Sequence, residues 1–186
     1  MTRLTKIALA VMFLTVGGFA MEANRSESST AKAKVSVGPS AGIVASGDSV
    51  VGIGALIDGA FGIPSVPGLY VGLGTGYMRW SDSYSSGAVS SSGSVSLIPL
   101  VPEVVYQFGQ NAVKPYIGGG MGLGILNYSA SVSYGARTYS GSTSKAVFNM
   151  FVRPGIELGN LYVEPRLAVV DSDFVVLPTA GLVFQM

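Results

Sequence analysis

The chain has 186 residues, no histidine, no cysteine, and only 11% charged against 48% hydrophobic residues. Eleven cations nearly balance ten acids, so the net charge gives no reason to expect nucleic acid as a partner. Disulfides, a lipoprotein acylation site and thiolate metal sites are excluded as well.

The N-terminus, Met1-Thr2-Arg3-Leu4-Thr5-Lys6, carries two cations and no acid, and an apolar run follows from Ile7 to Met21. Small residues then stand at Ala20 and Ala23. This layout predicts a cleavable signal peptide over 1–23, with Ala20 the alternative cleavage position. A membrane-spanning helix needs ~20 apolar residues, more than this run supplies. Residues 24–33 are polar and aperiodic, which predicts a short flexible lead-in. Loss of Arg3, Lys6 and Glu22 with the leader leaves nine cations and nine acids.

From Lys34 the period is two, and one domain is expected over 34–186. Val35, Val37, Ala41 and Ile43 alternate with Ser36, Gly38, Ser40 and Gly42, and Ala45-Ser46-Gly47-Asp48 is a turn signal. Val51, Ile53, Ala55 and Ile57 alternate with Gly52 and Gly54 in the second segment. A Pro-containing connection (Gly62 to Gly68) leads to the third, where Leu69, Val71, Leu73, Thr75 and Tyr77 alternate with Tyr70, Gly72, Gly74, Gly76 and Met78. Ser81 to Gly93 is rich in Ser and Gly and is expected to be a long loop. The fourth segment puts Ile98, Leu100, Val104 and Tyr106 on one face and Glu103 on the other. After a short turn (Gly109 to Lys114), Ile117, Met121, Leu123 and Ile125 alternate with Gly118, Gly120, Gly122 and Gly124. Ser129 to Ser144 is expected to be a second long polar loop. In the sixth segment Phe148, Met150, Val152, Ile156 and Leu158 oppose Asn149, Arg153, Gly155 and Glu157. Gly159-Asn160 is a hairpin turn signal. Leu161, Val163, Leu167 and Val169 then oppose Tyr162, Glu164 and Arg166. Asp171-Ser172-Asp173 leads to a last segment with Phe174, Val176, Ala180, Leu182 and Phe184 on one face and Thr179, Gly181 and Gln185 on the other.

Eight alternating segments with no second long apolar run predict an all-β, eight-stranded antiparallel up-and-down transmembrane barrel. A soluble sandwich or lipocalin-like barrel also alternates, but its outer face would carry many charges. Here the second face is mostly Gly and Ser, which suits a narrow lumen. With both termini periplasmic, the long connections after segments three and five face the cell exterior. Tyr70, Trp80, Tyr106, Tyr128 and Phe184 lie near segment ends, where aromatic residues form interfacial girdles or turn inward.

The stretch Ile98-Pro99-Leu100-Val101-Pro102-Glu103-Val104-Val105-Tyr106-Gln107-Phe108, then Lys114-Pro115-Tyr116-Ile117-Gly118-Gly119-Gly120-Met121-Gly122-Leu123-Gly124, resembles the central hairpin of small OmpA/OmpW-type outer-membrane β-barrel proteins. The final residues resemble the terminal strand by which such barrels are recognised for assembly, with Thr179, Gly181, Phe184 and Met186 in the pattern. That family favours a terminal Phe, and Met186 stands there instead. The resemblance implies residence in the bacterial outer membrane, with outer-membrane lipid, lipopolysaccharide and the barrel assembly machinery as partners. No cofactor, metal or nucleic-acid partner is expected.

The chemistry is defined by what is missing. Without His or Cys the common nucleophile activations are absent. A paired-carboxylate hydrolase would have Glu157 and Glu164, in adjacent strands, as its best candidates. The expectation is no enzyme. The alternating glycines do not form a phosphate loop, because phosphate-binding glycines open a helix after a strand. They permit tight curvature in a small barrel. Glu103, Asn149, Arg153, Glu157, Glu164 and Arg166 are expected to share the lumen, where an unpaired charge is costly and pairing is forced. One reading is a structural plug; the other, implied by the OmpA resemblance, is a salt-bridge gate. Tyr84, Tyr134, Arg137 and Tyr139 in the long loops are candidate contacts for an extracellular ligand. A structural or surface-interaction role leads. The alternative is a narrow, salt-bridge-gated pore for ions or small, including hydrophobic, molecules.

Overall fold

The computed structural model describes residues 33–44, 50–109 and 112–186. The expected leader over 1–23, all but the last residue of the lead-in, and the Ala45 to Asp48 turn lie outside the described residues. Eight strands follow in chain order: β1 (Ala33–Val44), β2 (Val50–Gly62), β3 (Leu69–Ser86), β4 (Val89–Gln107), β5 (Val113–Tyr134), β6 (Arg137–Leu158), β7 (Leu161–Val170) and β8 (Asp173–Gln185). Each pairs antiparallel with its sequence neighbours, and β1 closes on β8 to complete the barrel. Closure registers Val37 against Leu182 and Val35 against Phe184. It extends to a reciprocal pair of backbone hydrogen bonds between Ala33 and Met186, at 3.1 and 2.9 Å. β1 thus begins one residue before Lys34, inside the expected lead-in.

Closure satisfies the backbone without leaving an edge in the hydrocarbon, which is what a lipid environment demands. The period of two then assigns every side chain. Ile53, Leu73, Leu100, Met121, Leu123, Phe148, Val163 and Leu182 all face outward and are exposed. Leu56, Met78, Leu97, Val101, Phe151 and Leu177 face inward and are buried. Apolar residues therefore occupy both sides of the wall. An outward belt of this kind has no place in water and matches the lipid-facing band of a transmembrane barrel.

The expected girdle is partly corrected. Trp80, Tyr128 and Tyr70 point inward, because each shares parity with buried neighbours such as Met78 and Leu126. Tyr77 and Phe184 face outward and are exposed.

The strands are unequal. β5 and β6 have 22 residues each and β3 and β4 have 18 and 19, whereas β7 has only 10. Since ~9–11 residues cross a bilayer, four neighbouring strands run roughly one span beyond it. The two Ser/Gly-rich segments expected as loops are these extensions. Pairing continues without a break to Ser86↔Val89 and Tyr134↔Arg137, leaving only two-residue turns at Gly87-Ala88 and Gly135-Ala136. Gly87 and Gly135 take positive φ (58° and 56°), the conformation tight hairpins require at these positions. Ser and Gly composition suggested loop, but strict alternation and a well-placed turn glycine outweigh it. By the usual asymmetry of long external and short periplasmic connections, the tall end is extracellular.

The lipid-facing assignment is tested by Met121→Arg. Met121 is 66% exposed and sits midway along the outward row from Ile117 to Ile125. A cation there is expected to cost about 2–4 kcal/mol, read by urea unfolding from phospholipid vesicles. Arg at the inward, buried Leu126 would by contrast disrupt lumen packing.

Candidate functional site within the lumen and above it

The lower half of the lumen is ionic. Arg153 on β6 reaches three carboxylates from three other strands. Its Nη1 donates to Asp58 (3.0 Å, β2) and Glu164 (3.2 Å, β7), and its Nη2 donates to Glu103 (2.6 Å, β4). Arg166 on β7 donates through Nη2 to Asp58 and Glu164, each at 2.7 Å. The Tyr116 hydroxyl donates to Glu164 at 2.7 Å. All five charged groups are at most 5% exposed. Three carboxylates meet two guanidiniums, so the cluster carries one formal negative charge in excess. Glu103 Oε2 and Arg153 Nε have no hydrogen-bond partner. Close approach by glycine makes room for the cluster: a Cβ at Gly74 would lie 2.6 Å from Asp58 Oδ1.

A second group sits nearer the periplasmic end. Lys34 Nζ donates to Glu157 (2.9 Å) and to Gln107 (2.8 Å), and Gln107 in turn donates to Glu157 (2.8 Å). The same ammonium lies 4.4 Å from the centre of the Tyr70 ring, a favourable cation–π placement.

Of the expected lumen residues, Glu103, Arg153, Glu164 and Arg166 are therefore brought into one cluster. Glu157 is not in it and belongs to the Lys34 group. Asn149 is inward and buried, but its Oδ1 is unpartnered and it joins neither. Asp58, Lys34 and Gln107 were missed by sequence reasoning. The signal for Asp58 was present: it shares parity with inward Leu56 and Ala60, and an acid at such a position needs a cation partner.

Above the ions the lumen turns apolar. The Arg166 guanidinium stacks 4.5 Å from the Phe151 ring centre and marks the boundary. Leu56, Met78, Trp80, Leu97, Val101, Leu126, Val147, Val170 and Val175 fill the space beyond. A void of ≈ 20 Å³ lies in this layer and another of ≈ 30 Å³ among the ionic groups below it, room for about one water apiece.

The apolar plug is also the floor of a cavity. At the extracellular mouth a vestibule of ≈ 770 Å³ is walled by Trp80, Val95, Leu97, Leu126, Tyr128, Val170 and Val175, with Asp82 and Thr143 nearer its rim. The inner face of the tall sheet forms its back wall. There Gly93, Ala130 and Gly141 leave space above Tyr128, and Tyr84, Val132 and Tyr139 stand higher on the same face. Of the expected loop contacts, Tyr84 and Tyr139 thus share one row on the inner face of the sheet. Tyr134 and Arg137 face each other at the turn of the β5–β6 hairpin. At the β6 edge of the same sheet, beside Tyr128, Lys145 donates to Asp171, and that hydrogen bond holds its ammonium above the ordinary lysine range.

The outer face of the same sheet has a different chemistry. Ser81, Ser94, Ser129 and Ser142 are registered side by side across four strands. Ser83, Ser92, Ser131 and Ser140 form the next row, and Ser85, Ser90, Ser133 and Thr138 the third. Below them runs Arg79, Ser96, Asn127 and Ser144, directly above outward Ile98 and Ile125. This face is bent into a groove of ≈ 740 Å³.

No protein-family model matches the sequence, and no curated protein does. Solved structures do match. A major outer membrane protein from Thermus thermophilus is 15% identical, covers 83% of this chain and 99% of its own, and superposes with a TM-score of 0.51. Ail, the attachment invasion locus protein of Yersinia pestis, is 13% identical over 84% of this chain and 99% of that one, with a TM-score of 0.48. The N-terminal β-barrel domain of Pseudomonas aeruginosa OprF is 13% identical over 83% and 100%, with a TM-score of 0.45. At these identities the likeness is one of fold. The chain is an eight-stranded transmembrane β-barrel of the bacterial outer-membrane type, the class its alternation and hairpin resemblance imply.

Removing one ion from the lumen cluster tests its energetics. Arg153→Gln leaves Asp58, Glu103 and Glu164 facing one another with only Arg166 to compensate. The expected loss is about 3–5 kcal/mol, measured by urea unfolding in vesicles. Asn149→Ala, which removes no paired group, is expected to cost much less.

Proposed function

We propose that this barrel is a non-enzymatic surface-interaction protein whose sealed body anchors a recognition surface outside the membrane. The observation that carries the reading is a contrast of volumes. The lumen interior holds voids of ≈ 30 and ≈ 20 Å³, whereas the vestibule above it offers ≈ 770 Å³. A cavity of that size, mostly apolar with polar groups at its rim, has the character of a ligand site. The occupant it suits is an apolar or aromatic group, either a small molecule or a side chain of a docking partner.

The absence of histidine and the pairing of the carboxylates support the non-enzymatic part. Glu157 and Glu164, the pair a hydrolase would use, are each engaged by a different cation and lie in different clusters. A gated pore would require both the ionic layer and the apolar plug to open, and burial of the ions behind packed Leu, Val and Met opposes that.

Two measurements test the proposal. Purified barrel in planar bilayers is expected to show no single-channel conductance. Steady conductance that changes with Glu164→Ala or Arg153→Ala would restore the gated pore. Trp80 is the only tryptophan and stands on the vestibule wall. An apolar naphthylamine dye added to barrels in nanodiscs is therefore expected to quench its emission by energy transfer. Ala130→Trp, which fills the vestibule, should displace the dye. Dye binding that survives this filling would place the ligand elsewhere.

A further inference from the structure

We infer that the serine array on the outer face of the β3–β6 sheet is a docking surface for the saccharide headgroup of the glycolipid surrounding the barrel. The inference depends on the barrel's place in the membrane and not on the vestibule.

The argument begins with position. The array continues the lipid-facing wall upward: on β4 and β5, outward Ile98 and Ile125 are followed two residues on by Ser96 and Asn127, then by Ser94 and Ser129. Whatever headgroup caps the acyl chains packed on Ile98 and Ile125 must therefore lie against these rows. The face is thus continuous with an interface the apolar belt already defines.

Chemistry then narrows the headgroup. A solvated sheet face ordinarily carries interspersed charges of both signs. Here three successive four-residue rows hold only hydroxyl side chains, and the row beneath them adds one amide and one cation, Arg79. No acid stands in these four rows; Asp82, which also borders the groove, lies between them with its parity on the inner face. Strand spacing sets the hydroxyls ~4.8 Å apart across the sheet and ~6.7 Å apart along it. Each offers one donor and two acceptors, which complements a polyhydroxylated sugar. Some are tied internally, as in Ser92 with Ser131 and Ser133 with Thr138, both at 2.9 Å. Those of Ser81, Ser129 and Ser142 have no hydrogen bond among the described residues and are available. Bending of the face into a groove of ≈ 740 Å³ gives a sugar chain depth to enter. Arg79 lies on the lowest row, level with the head of a lipid, and its contact with Ser94 is long at 3.4 Å. A guanidinium so placed suits a sugar phosphate, which it can bind through two hydrogen bonds. Phosphorylated glycolipid of the outer leaflet, lipopolysaccharide, unites these features; a phospholipid supplies the phosphate without the sugar.

The test counts lipopolysaccharide molecules retained per folded barrel by native mass spectrometry, during titration in nonionic detergent. Saturable retention is expected for the wild type. Arg79→Gln should weaken it about tenfold, as loss of a charge-assisted hydrogen bond implies. The combined Ser81, Ser94, Ser129 and Ser142→Ala variant should weaken it at least as much. Ser91→Ala, a hydroxyl on the opposite face, should not. Heat-shifted gel mobility verifies folding. Should the fourfold variant fail to fold, Arg79→Gln and the Ser81, Ser129→Ala pair decide the matter. Equal retention by all variants overturns the proposal. So does phosphatidylglycerol binding as tightly as lipopolysaccharide, because the contact would then be charge alone. Lipid-free core oligosaccharide bound with the same affinity would also overturn it, by making the ligand a glycan of the medium.

Discussion

The buried ion cluster is the constraint around which the barrel is arranged. Eight strands enclose a space too narrow for a bulk-water channel, yet seven inward positions hold charged residues, five of them in one cluster. In such an environment each ion must be paired or it destabilises the fold. Asp58, Glu103, Arg153 and the Glu164–Arg166 pair come from β2, β4, β6 and β7. They meet only if the ring closes with its proper register. A one-residue slip of any of these strands would move its ion to the lipid face and leave its partners unpaired. The cluster therefore specifies register as well as filling space. The Lys34 group does the same at the periplasmic end, where it ties β1 to β4 and β6.

Above this layer the lumen changes from ions to hydrocarbon, and this order separates stability from exposure. Leu56, Met78, Leu97 and Val101 cover the ions from the extracellular side. Leu97 continues from this layer into the floor of the vestibule, beside Trp80, Leu126, Val170 and Val175. The apolar layer that keeps water from the salt bridges thus ends in a surface suited to an apolar partner. The wall that encloses it costs little in topology, because β3 to β6 simply continue in register past the membrane with two-residue turns.

How much of this could be read in the sequence follows from what alternation reports. Facing was legible almost throughout: Leu182 and Phe184 were expected outward and are, and Glu103, Arg153, Glu164 and Arg166 were expected inward and are. Partnership was less so, since the period of two assigns a face but not a height. Glu157 shares parity with Arg153, yet sits two pleats nearer the periplasm and pairs with Lys34 instead. Asp58 and Lys34 were overlooked because each stood alone in an otherwise apolar or small-residue strand. The Ser-rich segments were misread for a related reason. Their low hydrophobicity on both faces erased the contrast on which alternation depends, although Ser83, Tyr84 and Ser85 and then Ser131, Val132 and Ser133 kept the period.

That lost contrast has a physical meaning. Within the membrane one face of each strand must be apolar, because lipid lies against it. Beyond the membrane the outward face is released from that demand, and on β3 to β6 it becomes hydroxyl almost without exception. The inward face keeps aromatic and aliphatic groups, with Trp80, Val95 and Tyr128 at that boundary and Tyr84 and Val132 above it. A sheet serving only to elevate a loop would have no reason to preserve that asymmetry. Retention of apolar groups on the inner side and of bare hydroxyls on the outer side gives the two faces different chemistries. The polarity of the wall is inverted relative to the membrane-spanning part, where hydrocarbon faces out and ions face in. The inversion occurs within one residue pair, between Ile98–Ile125 and Ser96–Asn127, and it marks the level at which the barrel leaves lipid.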